Sequence, residues 1–159
     1  MRSHTKGELE TFQAAVHRYI KPMAANEALM FVQIDDELCA LVAPNFYFKF
    51  YCAGGHGYSF TVTIGPTFEP KWNTEDERGF AWLVRYRGED DWTWTYSRFD
   101  NIDAFSDGIG KVINLLHKYI AFLKKTTAPF WKEFYKFVQV EIAHEEAKDK
   151  HKTERAQGG

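Results

Sequence analysis

The sequence predicts an α+β protein in which an antiparallel sheet of about six strands packs on helices, in the order one helix, six strands, two helices. Apolar residues recur at helical spacing near both ends of the chain and at every second position between residues 28 and 99. Aromatic residues also make up 17 % of the 159 residues, and aromatic side chains fit a pleated, half-buried surface. This arrangement is typical of a two-layer α+β domain.

The first predicted element is a helix. Thr5 and Glu8 have the spacing of a capping box, in which a hydroxyl and a carboxylate each accept a backbone N–H at the helix start. An apolar stripe follows at helical spacing: Leu9, Phe12, Val16, Tyr19 and Ile20. Pro22 lacks a backbone N–H, so we expect the helix to end near Lys21.

A first hairpin is predicted by two apolar runs that flank an acidic turn. The runs cover residues 29–34 and 38–43, and the turn between them is Asp35, Asp36 and Glu37. Aspartate is favoured in turns because its side chain bonds to the nearby backbone. The turn therefore places three carboxylates at one end of the sheet.

The second hairpin has the clearest alternation in the chain. Phe46, Phe48, Phe50 and Cys52 alternate with polar or amphipathic residues, and so do Tyr58, Phe60, Val62 and Ile64 after a glycine-rich loop. With Cys52 opposite Tyr58, Phe50 faces Phe60 across the strands. Both apolar sets then share one face, as an antiparallel pair requires.

A loop without period covers residues 66–78 and contains two prolines, and a third hairpin is predicted after it. The two strands of this third hairpin would cover residues 80–86 and 92–96. Two registers are open, because pairing Arg87 with Trp92 exposes an arginine–tryptophan face, whereas pairing Tyr86 with Trp92 buries the aromatics. A one-residue slip inverts every side chain.

Two helices complete the prediction. The first carries an apolar stripe from Ile102 to Leu123, with Gly108 and Gly110 weakening its first turns. The second begins within Thr126-Thr127-Ala128-Pro129, where a cap precedes a proline in the first turn. We expect residues 1–150 to form a single domain and residues 151–159 to be a frayed tail.

Charge and composition exclude several function classes. The formal charge is −2 and the sequence pI about 6.3, which argues against nucleic-acid binding. No apolar run reaches the roughly 18 residues of a membrane span, no signal-peptide core is present, and two cysteines are too few for a disulfide framework. We expect a cytoplasmic protein that does not contact a membrane.

The acidic turns carry the first functional hypothesis. Residues 28–99 hold ten acidic and six basic side chains, and alternate turns of a meander lie at the same end of its sheet. We therefore expect a non-enzymatic module that binds a protein partner, with basic character, as an inhibitor or immunity protein binds its cognate. The expected contact residues are Asp35, Asp36, Glu37, His56, Trp72, Glu89, Asp90 and Asp91. A homodimer is compatible with the same sequence.

The aromatic bias carries an alternative hypothesis from another class. An aromatic-lined pocket between sheet and helices would hold an apolar or aromatic small molecule. Its lining residues would be Phe48, Phe50, Phe60, Trp82, Trp94 and Tyr96. A core built from phenylalanine explains the same bias.

No motif predicts a catalytic centre, a metal or a cofactor. His144 and His151 lie seven residues apart on a predicted helix, and two histidines alone do not complete a zinc site. The segment Gly108-Ile109-Gly110-Lys111 lacks the first glycine and the hydroxyl of a phosphate-binding loop. An enzyme is therefore the third hypothesis, and the sequence predicts no cofactor.

Overall fold

The computed structural model describes residues 4–52, 58–89, 98–99 and 101–158. Its helical segments are α1 (Glu8–Ala15), a π-helical turn (Val16–Ile20), α2 (Lys21–Glu27), α3 (Phe80–Tyr86), α4 (Ile102–Lys124) and α5 (Ala128–Gly158). Its strands are β1 (Met30–Asp35), β2 (Leu38–Val42), β3 (Tyr47–Cys52), β4 (Tyr58–Gly65), β5 (Arg78–Gly79) and β6 (Arg98–Phe99). The predicted α+β class is confirmed.

The sheet is antiparallel, and β1 to β5 follow one another in chain order across it. The short β6 pairs with β4 outside this path. The predicted order of six consecutive strands between helices is therefore wrong, because a helix interrupts the strands after β5. The first four strands match the prediction to within one or two residues.

The hairpin of β3 and β4 has a register two residues away from the predicted one. Cys52 pairs with Phe60, and Phe50 pairs with Val62. A shift of two residues keeps every side chain on its predicted face, because the side-chain period of a strand is two. Phe48, Phe50, Phe60 and Val62 therefore all lie in the core, as the alternation predicts.

The segment Phe80–Tyr86 is the helix α3 and not a strand, which corrects the third predicted hairpin. Its buried residues are Phe80, Ala81, Leu83 and Val84, at helical spacing. Gly88 ends the helix with φ 76°, donating to the Arg85 carbonyl at 2.9 Å while Glu89 N–H donates to the Val84 carbonyl at 3.1 Å. This is a Schellman cap, and glycine is the residue that adopts its positive φ without strain. The predicted partner strand, residues 92–96, lies outside the described residues.

The first helical stretch continues past Pro22, which corrects its predicted end. The π-helical turn comes immediately before Lys21, so Pro22 lies in the first turn of α2, where a missing N–H costs little. The stretch ends at Glu27, where Ala28 takes a left-handed conformation with φ 56°.

The core lies on the face of the sheet that meets α1, α3 and α4. Phe12 of α1 contacts Phe60 with ring centroids 6.1 Å apart, and Phe80 of α3 contacts both Phe48 and Tyr119. A side chain at Gly110 would come within 3.2 Å of the Tyr19 ring, so this glycine permits close approach of α4 to the π-helical turn. Gly110 therefore serves packing between helical segments, whereas the sequence suggests that small residues here allow helix–sheet approach.

Two compact units make up the chain, residues 1–126 and residues 127–159. The second unit holds the single long helix α5, which runs past the predicted domain boundary at residue 150. No helix in the described part of the chain is long and apolar enough to cross a membrane.

Buried cysteine makes the fold sensitive to alkaline pH. Burial raises the pKa of the Cys39 thiol from 9.0 to about 12. Because the folded value is the higher one, the unfolded chain loses this proton first, and stability falls as pH rises from 9 towards 12. We expect the titration of Cys39 to lower the free energy of unfolding by up to about 1.4 kcal/mol per pH unit. Urea unfolding at pH 8, 9 and 10 tests this, since Cys39→Ala should show a shallower decline than the wild type; equal declines would contradict it.

Candidate functional site

The acidic turn between β1 and β2 is shaped by its own backbone. The Asp35 Oδ1 atom accepts the Glu37 N–H at 2.7 Å, which closes the turn from within. The backbone oxygen of Asp36 accepts a bond from the Gln13 amide of α1. Asp35 and Asp36 are exposed and Glu37 is half-buried, so two carboxylates of the turn face solvent.

Trp72 from the loop after β4 lies against this turn. Its Nε1 atom donates to Asp35 Oδ2 at 2.6 Å, and its ring packs on Tyr51 with centroids 4.9 Å apart. Two segments 37 residues apart in the chain thus meet. We call Asp35, Asp36, Glu37 and Trp72 the acidic patch, and all four belong to the predicted partner-binding set.

The loop that carries Trp72 is tied to the sheet by a buried lysine. The Lys49 side chain is fully buried, and its Nζ atom donates to the Lys71 carbonyl at 2.7 Å and to Thr74 Oγ1 at 3.1 Å. Glu77 Oε1 lies 3.6 Å from the same nitrogen. Desolvation lowers the pKa of Lys49, and the Glu77 carboxylate opposes that shift.

Two tyrosines of β3 extend this anchoring. The Tyr47 hydroxyl donates to Asp76 at 2.7 Å, and the Tyr51 hydroxyl donates to Glu77 at 2.8 Å. Burial raises the pKa of both phenols. We call Tyr47, Lys49, Tyr51, Thr74, Asp76 and Glu77 the anchoring network. Its members bond to one another, so the network holds the loop on the sheet.

Sequence reasoning missed the anchoring network. The alternation places Tyr47, Lys49 and Tyr51 on the face opposite the core, which is the solvent face of a two-layer domain. The loop over residues 66–78 covers part of that face instead. The one available signal is its length and its run of acids, Glu75, Asp76 and Glu77, opposite a lysine.

A second cluster joins the start of α1 to the acidic turn. His4 Nδ1 lies 3.0 Å from Glu8 Oε1, and His4 Nε2 lies 2.8 Å from Glu37 Oε2. Cys52 Sγ is 3.7 Å from His4 Nδ1. Burial, with Glu8, Glu37 and Glu10 nearby, raises the pKa of Cys52 to about 12. His4, Glu8 and Cys52 place one ligand atom each within 4.8 Å of the others, which suits a metal ion.

The remaining predicted partner-binding residues are not brought to the patch by the described structure. Glu89 lies at the C-terminal cap of α3 and not in a hairpin turn. His56, Asp90 and Asp91 lie outside the described residues. The predicted grouping of three turns therefore stays a prediction beyond the first.

The predicted pocket residues divide in the same way. Phe48, Phe50 and Phe60 are fully or almost fully buried, and their rings pack on one another at 6.2 to 6.4 Å. Trp82 is half-buried, and the Arg85 guanidinium carbon lies 5.6 Å from the centroid of the Trp82 ring. Trp94 and Tyr96 lie outside the described residues. An open cleft of about 290 Å³ lies elsewhere, between α2 and α4, where Tyr19, Met23, Glu27, Ile113 and His117 line it.

Comparison of the chain with protein-family models, with curated proteins and with solved structures found no match.

Proposed function

We propose that the chain is a non-enzymatic module that binds a basic protein through the acidic patch, as an inhibitor or immunity protein binds its cognate. The observation that supports this proposal is the contact between Trp72 and Asp35. It joins the half-buried Trp72 and an exposed acidic turn into one surface. The charge of that surface favours a partner of opposite sign.

Negative charge extends beyond the turn itself. Glu8, Glu10 and Glu37 all lie close enough to Cys52 to raise its pKa, so α1 adds carboxylates to the same end of the sheet. Glu10 is exposed, like Asp35 and Asp36. A concentration of one sign of charge steers an oppositely charged protein during encounter and raises its association rate.

Trp72 supplies the apolar part of such a surface. Tryptophan is enriched among the residues that dominate binding energy at protein interfaces. Here its ring is already held by Tyr51 and by Asp35, and its loop is clamped by Lys49. A side chain ordered before binding loses little conformational entropy on binding, which favours affinity.

The test is differential capture followed by kinetics. Wild-type protein, Asp36→Lys and Trp72→Ala are used as baits in lysate of the source cells, with Glu146→Lys as a control reversal on exposed α5. We expect one stoichiometric basic protein to be retained by the wild type and the control and lost by the two patch variants. With that partner purified, Asp36→Lys should lower the association rate about tenfold at low salt.

Two results would contradict the proposal. One is a partner that the two patch variants retain as well as the wild type does. The other is an association rate that Asp36→Lys and Glu146→Lys change equally, since that would indicate net charge and not this surface. Circular dichroism of each variant confirms that the fold is intact.

A further inference from the structure

The cluster of His4, Glu8 and Cys52 has three donor atoms that lie within 4.8 Å of one another. Glu8 is fully buried at the first position of α1, and Cys52 is fully buried at the end of β3. Glu8 is held in place because its Oε2 atom accepts the Ser59 backbone N–H at 2.7 Å. Its other oxygen, Oε1, lies 3.0 Å from His4 Nδ1 and is the carboxylate oxygen that faces the cluster.

The two carboxylates around His4 require a proton or a cation at each ring nitrogen. Glu37 Oε2 lies 2.8 Å from Nε2, and Glu8 Oε1 lies 3.0 Å from Nδ1. An ionised carboxylate only accepts hydrogen bonds, so a neutral ring satisfies one of these contacts and leaves the other as two acceptors face to face. Either a second proton or a cation must lie between Nδ1 and Glu8.

We propose that His4 Nδ1, Glu8 Oε1 and Cys52 Sγ form a three-ligand site for Zn²⁺. Nitrogen, oxygen and thiolate sulfur are the ligands that zinc takes in proteins, at about 2.0–2.3 Å. In a tetrahedral site, such bonds set ligand atoms roughly 3.3–3.7 Å apart. The observed separations from His4 Nδ1, 3.0 Å to Glu8 and 3.7 Å to Cys52, are within a few tenths of an ångström of that range.

Glu37 completes the arrangement from the second layer. Its contact with Nε2 keeps a proton on that nitrogen, which leaves the Nδ1 lone pair free for the metal. Histidines that bind metals commonly donate their other N–H to a carboxylate in this way. Three protein ligands leave one tetrahedral position for water, and His4 is 11 % exposed at its side chain, which provides access from solvent.

Charge balance is compatible with a divalent ion at this site. With the ring neutral, zinc would be balanced by the Glu8 carboxylate and the Cys52 thiolate. Binding displaces the Cys52 thiol proton, and the Nδ1 proton where the ring carries one, to solvent. The bound ion would link the segment before α1 to the end of β3, two parts of the chain 48 residues apart. This inference does not depend on the proposed partner.

The experiment uses the full chain carrying His144→Ala and His151→Ala, which removes weak binding by the exposed histidines of α5. Zn²⁺ is titrated calorimetrically, native mass spectrometry gives the stoichiometry, and Co²⁺ serves as a spectroscopic substitute. We expect one ion per chain and a near-ultraviolet thiolate-to-cobalt charge-transfer band. Cys52→Ala should abolish that band and weaken Zn²⁺ binding by about 100-fold or more, because loss of even a second-layer partner costs about 10- to 100-fold.

The matched control is Cys39→Ala, which removes the other buried cysteine from the adjacent strand. It should retain one ion and the charge-transfer band. His4→Ala provides a second test with less effect on the core, since His4 is partly exposed, and it should weaken Zn²⁺ binding to the same degree. Absence of stoichiometric Zn²⁺ in the chain that carries only the two α5 substitutions, or binding that survives His4→Ala and Cys52→Ala unchanged, would overturn the proposal.

Discussion

Replacing Lys49 with alanine is expected to lower the free energy of unfolding by about 3–5 kcal/mol, the usual cost of breaking a buried charged pair. Lys49 is fully buried, and its ammonium group binds the Lys71 carbonyl, Thr74 and Glu77. Alanine leaves a cavity. It also removes the hydrogen-bond donor of the Lys71 carbonyl and of Thr74, and the positively charged partner of Glu77. Urea unfolding at neutral pH measures the effect.

Two variants separate the charge from the packing. Lys49→Met keeps most of the side-chain volume without the ammonium group, so it should lose less stability than Lys49→Ala. Lys71→Met is the matched control in the loop itself, because Lys71 pairs only with Glu69 in the described contacts and both are more than half exposed. Its effect should stay within about 0.5 kcal/mol. Equal losses for Lys49→Ala and Lys71→Met would contradict the role of the anchoring network.

Loop release is the second readout of Lys49→Ala. The Trp72 side chain meets Asp35 only while its loop lies on the sheet. We expect amide hydrogen exchange in residues 66–78 to accelerate more than exchange in β2. Under the proposed function, the same variant would also weaken partner binding.

Local pattern predicted the first four strands well and failed at Phe80–Tyr86. In β3 and β4 the alternation is supported by the pairing itself, and a register error of two residues leaves the faces unchanged. In α3 the alternating aromatics compete with Ala81 and Leu83, which lie between them and are also buried. The buried residues Phe80, Ala81, Leu83 and Val84 have the spacing of one helix face. Gly88 is the residue that marks its end.

The candidate site was predictable only where it is local. Asp35, Asp36 and Glu37 form a turn whose residues favour that shape, so the sequence alone indicates them. The role of Glu8 was half predicted, because Glu8 Oε1 does accept the Thr5 N–H at 3.3 Å. Its contact with Ser59 depends on how the chain folds back, which no local pattern encodes.

The buried lysine illustrates the same limit. A strand pattern states which residues share a face, and it cannot state which loop covers that face. The alternation places Lys49 on the face opposite the core, and the loop over residues 66–78 covers it there, so that its side chain is buried. The tertiary positions of the Lys71 carbonyl, Thr74 and Glu77 make that burial tolerable, since each supplies an oxygen near the ammonium group.

Gly65→Ala is expected to cause a second large loss of stability. The cause here is steric overlap, whereas in Lys49→Ala it is the loss of hydrogen bonds and of an ion pair. Gly65 pairs with Tyr47 across β3 and β4, and a methyl group at Gly65 would lie 2.6 Å from Tyr47 Cζ. The ring cannot easily move, because its hydroxyl is held by Thr74 and Asp76 and its ring packs on Phe68. Overpacking of this kind costs about 1–3 kcal/mol, and we expect the upper end.

The steric origin of that loss has a direct test in a double-mutant cycle. Tyr47→Leu removes the ring, so Gly65→Ala should cost much less in the Tyr47→Leu background than in the wild type. Gly88→Ala is the matched control, because nothing lies within 4 Å of its added methyl group and only its φ of 76° opposes alanine. It should cost about 1 kcal/mol in either background. If Gly65→Ala costs the same with and without the Tyr47 ring, the steric explanation is wrong. The strand pairing, and not the contact with the ring, would then require glycine at this position.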